Sequence, residues 1–167
     1  MRCAARIAVA LLVCADLAGC GYRLVRYSLP PPAGGCVRFE GLGGGGAWPR
    51  TAPWTSSALE HEIAPDLCAD GDSVLLGTVD AVEPVGGHHA VSSGGTTLLG
   101  GRWMARGSIR IESGGRVVWG PVGAEVERDF ISTGDPLLEQ DAFDTHLKLL
   151  ARDLGVALAR VLYGEPL

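Results

Sequence analysis

The sequence lacks an excess of positive charge. It has 14 lysine and arginine residues against 19 aspartate and glutamate residues, a formal net charge of −5 and a pI near 5.3. Proteins that bind nucleic acid through a broad basic surface have the opposite balance, so we expect no nucleic-acid partner. Lys148 is the only lysine. Because alanine, glycine and valine are also abundant, we attribute this bias toward arginine to a GC-rich genome and not to a binding site.

Long apolar runs are also missing. No apolar stretch reaches the roughly 18 residues that a membrane-spanning helix needs. Apolar residues still make up 47% of the chain and charged residues 20%, a balance that supports a packed core and argues against global disorder. With 167 residues, the chain has the length of one domain, which commonly takes about 100–200 residues.

Residues 1–19 have the pattern of a secretory leader. Two arginines are followed by a short apolar core at 7–13 and then by small residues, the order typical of a signal peptide. Residues 17–20 (Leu-Ala-Gly-Cys) resemble the bacterial lipobox, which implies that Cys20 becomes the lipidated N-terminus, with palmitate among its acyl chains. The alternative is an ordinary leader with a coincidental cysteine, but position, small residues and thiol all agree with lipidation. Gly21, where inner-membrane lipoproteins of enteric type have aspartate, favours the outer membrane.

Two further cysteines belong to the predicted mature chain. Cys3 and Cys14 leave with the leader, so Cys36 and Cys68 remain in an oxidising compartment, where disulfides form and persist. A disulfide between them would close a loop of about 30 residues and contribute roughly 3 kcal/mol. Two small buried thiols are the equal alternative, and the sequence does not decide between the two.

A tether and one domain follow the leader. We predict a lipidated tether over 20–34, stiffened by three consecutive prolines, and a single α/β domain over 35–164. Apolar patterns typical of strands occur at 36–40, 73–82, 98–112 and 116–126. Segments 41–53 and 84–97 are rich in glycine and other loop-forming residues, which predicts irregular structure. Pro121 predicts a bulge or a sheet edge in the last strand.

Two helices complete the pattern. Ser57 and Glu60 form a Ser-x-x-Glu capping box, which places the first helix start near Ser57. The second helix begins at Asp135 and Pro136, carries an apolar stripe of about 20 residues and stops at Gly164. The order strand, helix, strand, strand, strand, helix predicts an α+β fold: a four-stranded, mostly antiparallel sheet with two helices packed on one face.

The sequence offers no catalytic or metal-binding constellation. The glycines at 43–46 lack the lysine and the adjoining helix of a phosphate loop. His88 and His89 lack further ligands at metal-binding spacing. His61 has no nucleophile nearby in a recognisable context, and His146 is expected at the surface. We therefore expect a protein that is not an enzyme and that uses no metal or cofactor.

Short motifs along the whole mature chain point to a family. They are residues 17–24 (Leu-Ala-Gly-Cys-Gly-Tyr-Arg-Leu), 37–41 (Val-Arg-Phe-Glu-Gly), the helix near Ser57, 75–79 (Leu-Leu-Gly-Thr-Val), 115–119 (Gly-Arg-Val-Val-Trp) and a closing helix rich in leucine and alanine. In these motifs, in the order of elements and in length, the chain resembles the LPS-assembly lipoprotein family, LptE. It departs from that family after the first strand, where 42–46 replace the Asn-x-Thr that many members have.

The resemblance implies a partner and a ligand. A member of this family sits in, or against the periplasmic mouth of, the LptD-type outer-membrane β-barrel. It plugs the barrel, helps it to assemble and takes part in passing lipopolysaccharide to the cell surface, without catalysing a reaction. The implied location is the periplasmic side of the cell outer membrane, held by the lipid. The alternative is a generic outer-membrane lipoprotein, also non-enzymatic, that binds another envelope partner.

Three arginines at even spacing, Arg102, Arg106 and Arg110, are predicted to project from one face of the third strand. Guanidinium groups bind phosphates well through paired hydrogen bonds. We hypothesise that Arg106 and Arg110 contact either lipid A phosphates or acidic residues of the barrel. The alternative is a solvated strand face on which they form salt bridges with Glu112 and Glu125.

Overall fold

The computed structural model describes residues 36–93, 96–132 and 134–165. Its elements, in chain order, are β1 (Arg38–Gly44), α1 (Thr51–Ile63), a 3₁₀ turn (Ala64–Asp66), β2 (Ser73–Ser93), β3 (Thr96–Ser113), β4 (Arg116–Ile131) and α2 (Pro136–Leu162). The predicted leader at 1–19 and the predicted tether at 20–34, which includes Cys20, lie outside the described residues.

The four strands form one sheet in the order β1-β2-β3-β4. β1 runs parallel to β2, with Phe39 opposite Leu75, and the other two pairs are antiparallel. Parallel strands need a long crossover connection, and the segment containing α1 supplies it. Both helices pack on one face of the sheet and against each other. The predicted α+β architecture is confirmed.

The core lies between the helices and the sheet. Leu59 and Ile63 of α1 and Leu154 of α2 are fully buried, as are Leu75 of β2 and Ile109 of β3. Full burial of one such side chain contributes about 1.5–3 kcal/mol relative to leaving it exposed. These residues therefore fix which face of each element points inward.

The second helix has the predicted extent and stripe. It begins at Pro136, and its buried apolar residues are Leu147, Leu150, Ala151, Leu154, Ala157, Leu158, Ala159 and Leu162. At Gly155 the two helices approach so closely that an added Cβ would lie 2.7 Å from both the Ala58 Cβ and the Thr55 carbonyl oxygen. Glycine allows this close helix crossing because it has no side chain. Within 36–93, 96–132 and 134–165, neither helix combines the length and hydropathy that crossing a membrane requires.

The predicted helix start near Ser57 is wrong. α1 begins at Thr51 and contains Pro53 in its first turn. Proline is tolerated there because the first N–H groups of a helix have no acceptor within it. Ser56 accepts a hydrogen bond from the N–H of Leu42 at 2.8 Å, so the neighbouring serine ties α1 to β1.

The prediction of irregular structure at 84–97 is also wrong for 84–93 and 96–97, the part of this segment that the structure describes. β2 continues to Ser93 and β3 begins at Thr96, so that the two strands form one long hairpin. Ala90 pairs with Leu99 in this hairpin, and a register shift accommodates the glycine-rich stretch. Antiparallel partners satisfy each other's backbone groups whatever the side chains are, which is why a loop-like composition adopts strand structure here.

β1 and β4 are the edges of the sheet, and both extend beyond their predicted ends. β1 continues to Gly44 through a register shift, and β4 continues to Ile131. Pro121 lies at a register shift between β3 and β4, as predicted for a proline in an edge strand. The Gly120–Pro121 peptide bond is cis. Pairing with the neighbouring strand therefore determines the strand ends more than local composition does.

Candidate functional site

Cys36 and Cys68 are joined in a disulfide at the start of β1. Their Cα atoms are 5.8 Å apart, and the bridge spans a sequence separation of 32 residues. Val37 adds two backbone hydrogen bonds: its N–H donates to the carbonyl oxygen of Asp66 at 2.9 Å, and its carbonyl accepts from the N–H of Cys68 at 3.1 Å. The structure thus has the disulfide and not two free thiols. The beginning of the described chain is fastened to the 3₁₀ turn.

Tyr163 connects the end of α2 to the same turn. Its hydroxyl donates to the carboxylate of Asp66, with 2.6 Å between the oxygen atoms. Burial of the phenol, followed by this hydrogen bond and the charge of Asp66, raises the pKa of Tyr163 above its ordinary value. We call the region formed by Cys36, Asp66, Cys68 and Tyr163 the disulfide end.

The outer face of the sheet, away from the helices, carries the arginine row. Arg102, Arg106 and Arg110 project there because the residues that alternate with them in β3 face the helices. Arg102 lies 3.3 Å from the carboxylate of Glu127 and 3.1 Å from that of Asp129. The hydrogen bond to Asp129 and the charge of that residue raise the pKa of Arg102 above its ordinary value.

Arg106 and Arg110 also have acidic neighbours. The Nε of Arg110 donates to Glu112 at 2.7 Å. Arg106 lies 3.9 Å from both Glu83 and Glu125, which is an ion-pair distance but too long for a hydrogen bond. These contacts match the solvated, salt-bridged alternative. Contact of either arginine with phosphate or with a barrel stays a prediction. Of the two arginines, Arg106 lies farther from its acidic neighbours.

Acidic side chains outnumber the arginines on this face. The carboxylates beside the arginine row in the described sheet belong to Asp80, Glu83, Glu112, Glu125, Glu127 and Asp129. A phosphate group approaching the outer face therefore meets mixed charge with an acidic excess, which opposes binding except where an arginine turns away from its carboxylate.

Aromatic rings cluster near the start of α2. The ring centroid of Phe143 lies 4.9 Å from that of Trp103, 5.2 Å from Trp48, 5.3 Å from Phe130 and 6.4 Å from His146. The contacts with the tryptophans and with Phe130 are edge to face, a favourable geometry for aromatic pairs. The cluster has no signal in sequence spacing, because its members come from the loop after β1, from β3, from β4 and from α2. We call it the aromatic end.

Two open cavities flank the aromatic end. One, of about 270 Å³, has Trp103, Phe130 and Phe143 in its lining, and the other, of about 330 Å³, has Trp48 and Trp54. Ligand pockets commonly take about 300–1,000 Å³, so the first cavity lies just below this range and the second at its lower limit. Phe143 and Tyr163 lie near opposite ends of α2, so the aromatic end and the disulfide end are about 30 Å apart at 1.5 Å per residue.

His146 is buried beside the aromatic end, so the prediction of a surface position is wrong. The residue is 6% exposed, and its Nε2 has no hydrogen-bond partner among the described residues. Burial, followed by the charge of Arg128, lowers the pKa of His146 below its ordinary value, and Asp129 opposes this. Arg128 in turn pairs with Asp153 of α2 at 2.7 Å. The last helix packs against the sheet at this position, which buries a residue whose sequence context looks polar.

No metal site is visible in the part of the chain that the structure describes, where no three histidine, cysteine, aspartate or glutamate side chains are grouped to hold an ion. His61 is exposed on α1. The side chains of His88 and His89 lie outside the description. The glycines at 43–46 are separated from α1 in sequence by residues 47–50, although Gly45 lies against Thr51, where that helix begins.

Comparison with known proteins gives matches in structure. No protein-family model and no curated protein sequence matches the chain. A Caulobacter crescentus CB15 protein described as a lipoprotein is 12% identical, with a TM-score of 0.51, over 77% of this chain and 88% of that one. The minor lipoprotein of Acinetobacter baumannii is 13% identical, with a TM-score of 0.47, over 78% and 93% of the two chains. Rare lipoprotein B of Shewanella oneidensis is 12% identical, with a TM-score of 0.48, over 76% and 94%. At this level of identity, the likeness to the Caulobacter protein shows a shared fold.

Proposed function

We propose that the chain is a lipid-anchored outer-membrane protein of the LPS-assembly type. It partners an LptD-type β-barrel and takes part in passing lipopolysaccharide to the cell surface, without catalysing a reaction. One combination carries the proposal: the lipobox-like residues 17–20, followed by Gly21 and Tyr22 as in the family that the chain resembles, precede a four-stranded sheet with two helices on one face.

The disulfide end supports attachment through a lipid at Cys20. A tether from Cys20 reaches the described domain at Cys36, which the disulfide holds to Cys68. A force on the tether is therefore transmitted through the disulfide to the segment after the 3₁₀ turn and, through β1, to the sheet. The aromatic end lies about 30 Å away along α2, at a distance from the residue at which the tether enters the domain.

Affinity purification tests the partnership. The mature lipoprotein, tagged at its C-terminus, is purified from detergent-solubilised outer membranes, and the proteins that accompany it are identified by mass spectrometry. We expect a large barrel of LptD type in comparable amount, and we expect depletion of the lipoprotein to reduce lipopolysaccharide at the cell surface. Recovery of a different envelope partner without such a barrel would contradict the proposal and favour the generic alternative.

A charge-reversal pair tests the arginine hypothesis. Arg106→Glu combined with Arg110→Glu is expected to weaken either lipopolysaccharide binding or association with the barrel, whichever of the two these arginines contact, because two guanidinium groups are replaced by carboxylates. Arg116→Glu, which reverses one exposed arginine at the β3–β4 turn, is the control for a single charge reversal away from the row. Unchanged binding of both ligands by the double variant would remove these arginines from the contact surface while leaving the proposed partnership intact.

A further inference from the structure

The outer edge of β4 has no partner strand among the described residues. β4 is the last strand of the sheet and pairs with β3 on one side only. Natural edge strands usually carry lysine, proline or a bulge that prevents further pairing. Pro121 and its register shift lie before residues 122–131. This stretch contains neither lysine nor proline, and its charged residues are Glu125, Glu127, Arg128 and Asp129, so an added strand has to match these charges. The outward backbone N–H and C=O groups of this stretch can pair with such a strand.

A groove lies beside this edge on the helix side. The cavity between β4 and α2 has a volume of about 460 Å³, and its lining includes the apolar side chains of Val126, Val156 and Ala157. Charged residues also line it: Glu125, Arg152, Asp153 and Arg160. Because successive side chains of a strand point to opposite faces, a strand added to β4 places every second side chain over this groove. Apolar side chains suit those positions.

A row of carboxylates lies on the other face of the same edge. Glu125, Glu127 and Asp129 alternate along β4, and their side chains are 49%, 42% and 65% exposed. Among the described ion pairs, Arg102 and Arg106 are the β3 residues that contact these three carboxylates. Alternate residues of a strand are about 7 Å apart, so a neighbouring strand with basic residues at every second position matches this row.

From these three features we propose that the edge of β4 binds an extended segment of a partner protein, in which basic and apolar residues alternate, as a fifth strand of the sheet. Its apolar side chains enter the groove beside Val126 and Val156, and its basic side chains pair with Glu125 and Glu127. Main-chain hydrogen bonds supply affinity and the alternating side chains supply specificity in this mode of recognition. The inference does not rest on the proposed function, because any envelope protein with such a segment satisfies it.

A second copy of the chain does not fit the same edge. In an antiparallel pair of two β4 strands centred on Glu127, Glu125 of one copy faces Asp129 of the other, and Glu127 faces its own counterpart. Like charges directly opposite each other destabilise a strand pair. The charge pattern therefore favours a different, basic partner.

A peptide probe tests the proposal with the intact mature protein. A short fluorescent peptide of alternating arginine and valine is titrated by fluorescence anisotropy. The controls are the same peptide with glutamate in place of arginine and the same peptide with its central valines replaced by proline. We expect each control peptide to bind at least about tenfold more weakly, because one reverses the cross-strand charge pairs and the other breaks the strand.

Hydrogen exchange followed by NMR locates the peptide. With the arginine–valine peptide bound, amides within 122–131 are expected to gain protection at alternate positions, since only every second N–H of an edge strand points outward. Protection along β1, or an equal effect of all three peptides, would overturn the proposal. Protection of β4 that appears without peptide and grows with protein concentration would mean that a second copy is the occupant, which also overturns it.

A matched pair of protein variants tests the carboxylate row. Glu125→Lys with Glu127→Lys is expected to weaken peptide binding by about tenfold. Glu60→Lys with Glu62→Lys, which makes the same change of charge on the exposed side of α1, is expected to change it by less than about twofold. An equal loss of peptide affinity in both double variants would mean that the peptide responds only to the net charge of the protein. That result would contradict a binding site at the edge of β4. If circular dichroism shows that the β4 variant is unfolded, the peptide controls and the exchange pattern of the unaltered protein decide.

Discussion

The two ends of α2 are held to the rest of the domain by different kinds of interaction. At the disulfide end, a covalent bridge and a hydrogen bond from Tyr163 to Asp66 connect elements that are far apart in sequence. At the aromatic end, rings around Phe143 pack edge to face between two open cavities. The first arrangement fixes the start of the described chain to the 3₁₀ turn. The second leaves apolar surface and space for a contact.

The disulfide end also has the stronger single interaction of the two. One disulfide that closes a loop of this length contributes about 3 kcal/mol, whereas an aromatic pair adds about 0.5–1.5 kcal/mol beyond its buried area. Stability at the disulfide end is therefore concentrated in one bond, and at the aromatic end it is spread over several contacts. Substitutions at the two ends should separate these two cases.

Removal of the disulfide should have the largest effect. Cys36→Ser combined with Cys68→Ser is expected to lower the free energy of unfolding by about 3 kcal/mol, because the loop between them is no longer closed in the unfolded chain. Urea unfolding of the oxidised protein and of the double variant measures this difference. Ser57→Ala, at an exposed position on α1, serves as the control. A loss below about 1 kcal/mol would show that this end does not depend on its covalent bond.

Truncation of the central ring should come next. Phe143→Ala is expected to lower the free energy of unfolding by about 2 kcal/mol, because a partly buried ring with several ring neighbours is lost. Leu138→Ala, at a leucine on the same helix that is 56% exposed, should cost less than about 0.5 kcal/mol. Equal losses in the two variants would mean that the aromatic end contributes contact surface but little stability.

Loss of the Tyr163 hydroxyl should have a smaller and pH-dependent effect. Tyr163→Phe keeps the ring and is expected to cost about 1 kcal/mol at neutral pH, since the hydrogen bond to Asp66 is lost. The raised pKa of Tyr163 means that the folded state retains the phenol proton. Its contribution to stability is therefore present below the ordinary tyrosine pKa of 10.0 and falls as the pH rises above it. In unfolding measured against pH, the wild-type protein should lose this increment in alkali, and a parallel loss in Tyr163→Phe would contradict the assignment.

The smallest effect is expected at His146. Burial lowers its pKa below the ordinary histidine value of 6.5, so the folded state favours the neutral ring. The stability that depends on it is present above pH 6.5 and is lost as the pH falls through the titration of this residue. His146→Leu should therefore show a shallower fall in unfolding free energy on acidification than the wild-type protein, with His61→Leu on α1 as the control. An identical slope in the wild-type protein and in His146→Leu would show that this residue is not responsible.

Elements in which apolar residues recur at helix or strand spacing could be predicted from the sequence. The stripe of α2 and the inward–outward alternation around Ile109 in β3 are confirmed, because both patterns record which side of an element is buried. The start of α1 and the hairpin at 84–97 could not be predicted. α1 begins at the buried Thr51, whose hydroxyl donates to the Trp48 carbonyl, and pairing between β2 and β3 overrides the local composition of the hairpin.

The candidate site divides in the same way. The common face of Arg106 and Arg110 follows from even spacing, but their acidic neighbours depend on strand register, as the approach of Glu83 from β2 shows. The pairing of Cys36 with Cys68 depends on how close β1 comes to the 3₁₀ turn, which the sequence does not record. The residues of the aromatic end come from four segments that no common sequence pattern connects. Their proximity is therefore visible only in the folded structure.

The central claim is that a lipid on Cys20 holds this domain at the membrane. Intact mass spectrometry of the protein isolated from its own membranes tests it most directly. The account predicts a chain that begins at Cys20 and carries the added mass of a diacylglyceryl group and a further acyl chain. A chain that retains residues 1–19, or one that is cut elsewhere with an unmodified Cys20, would contradict it.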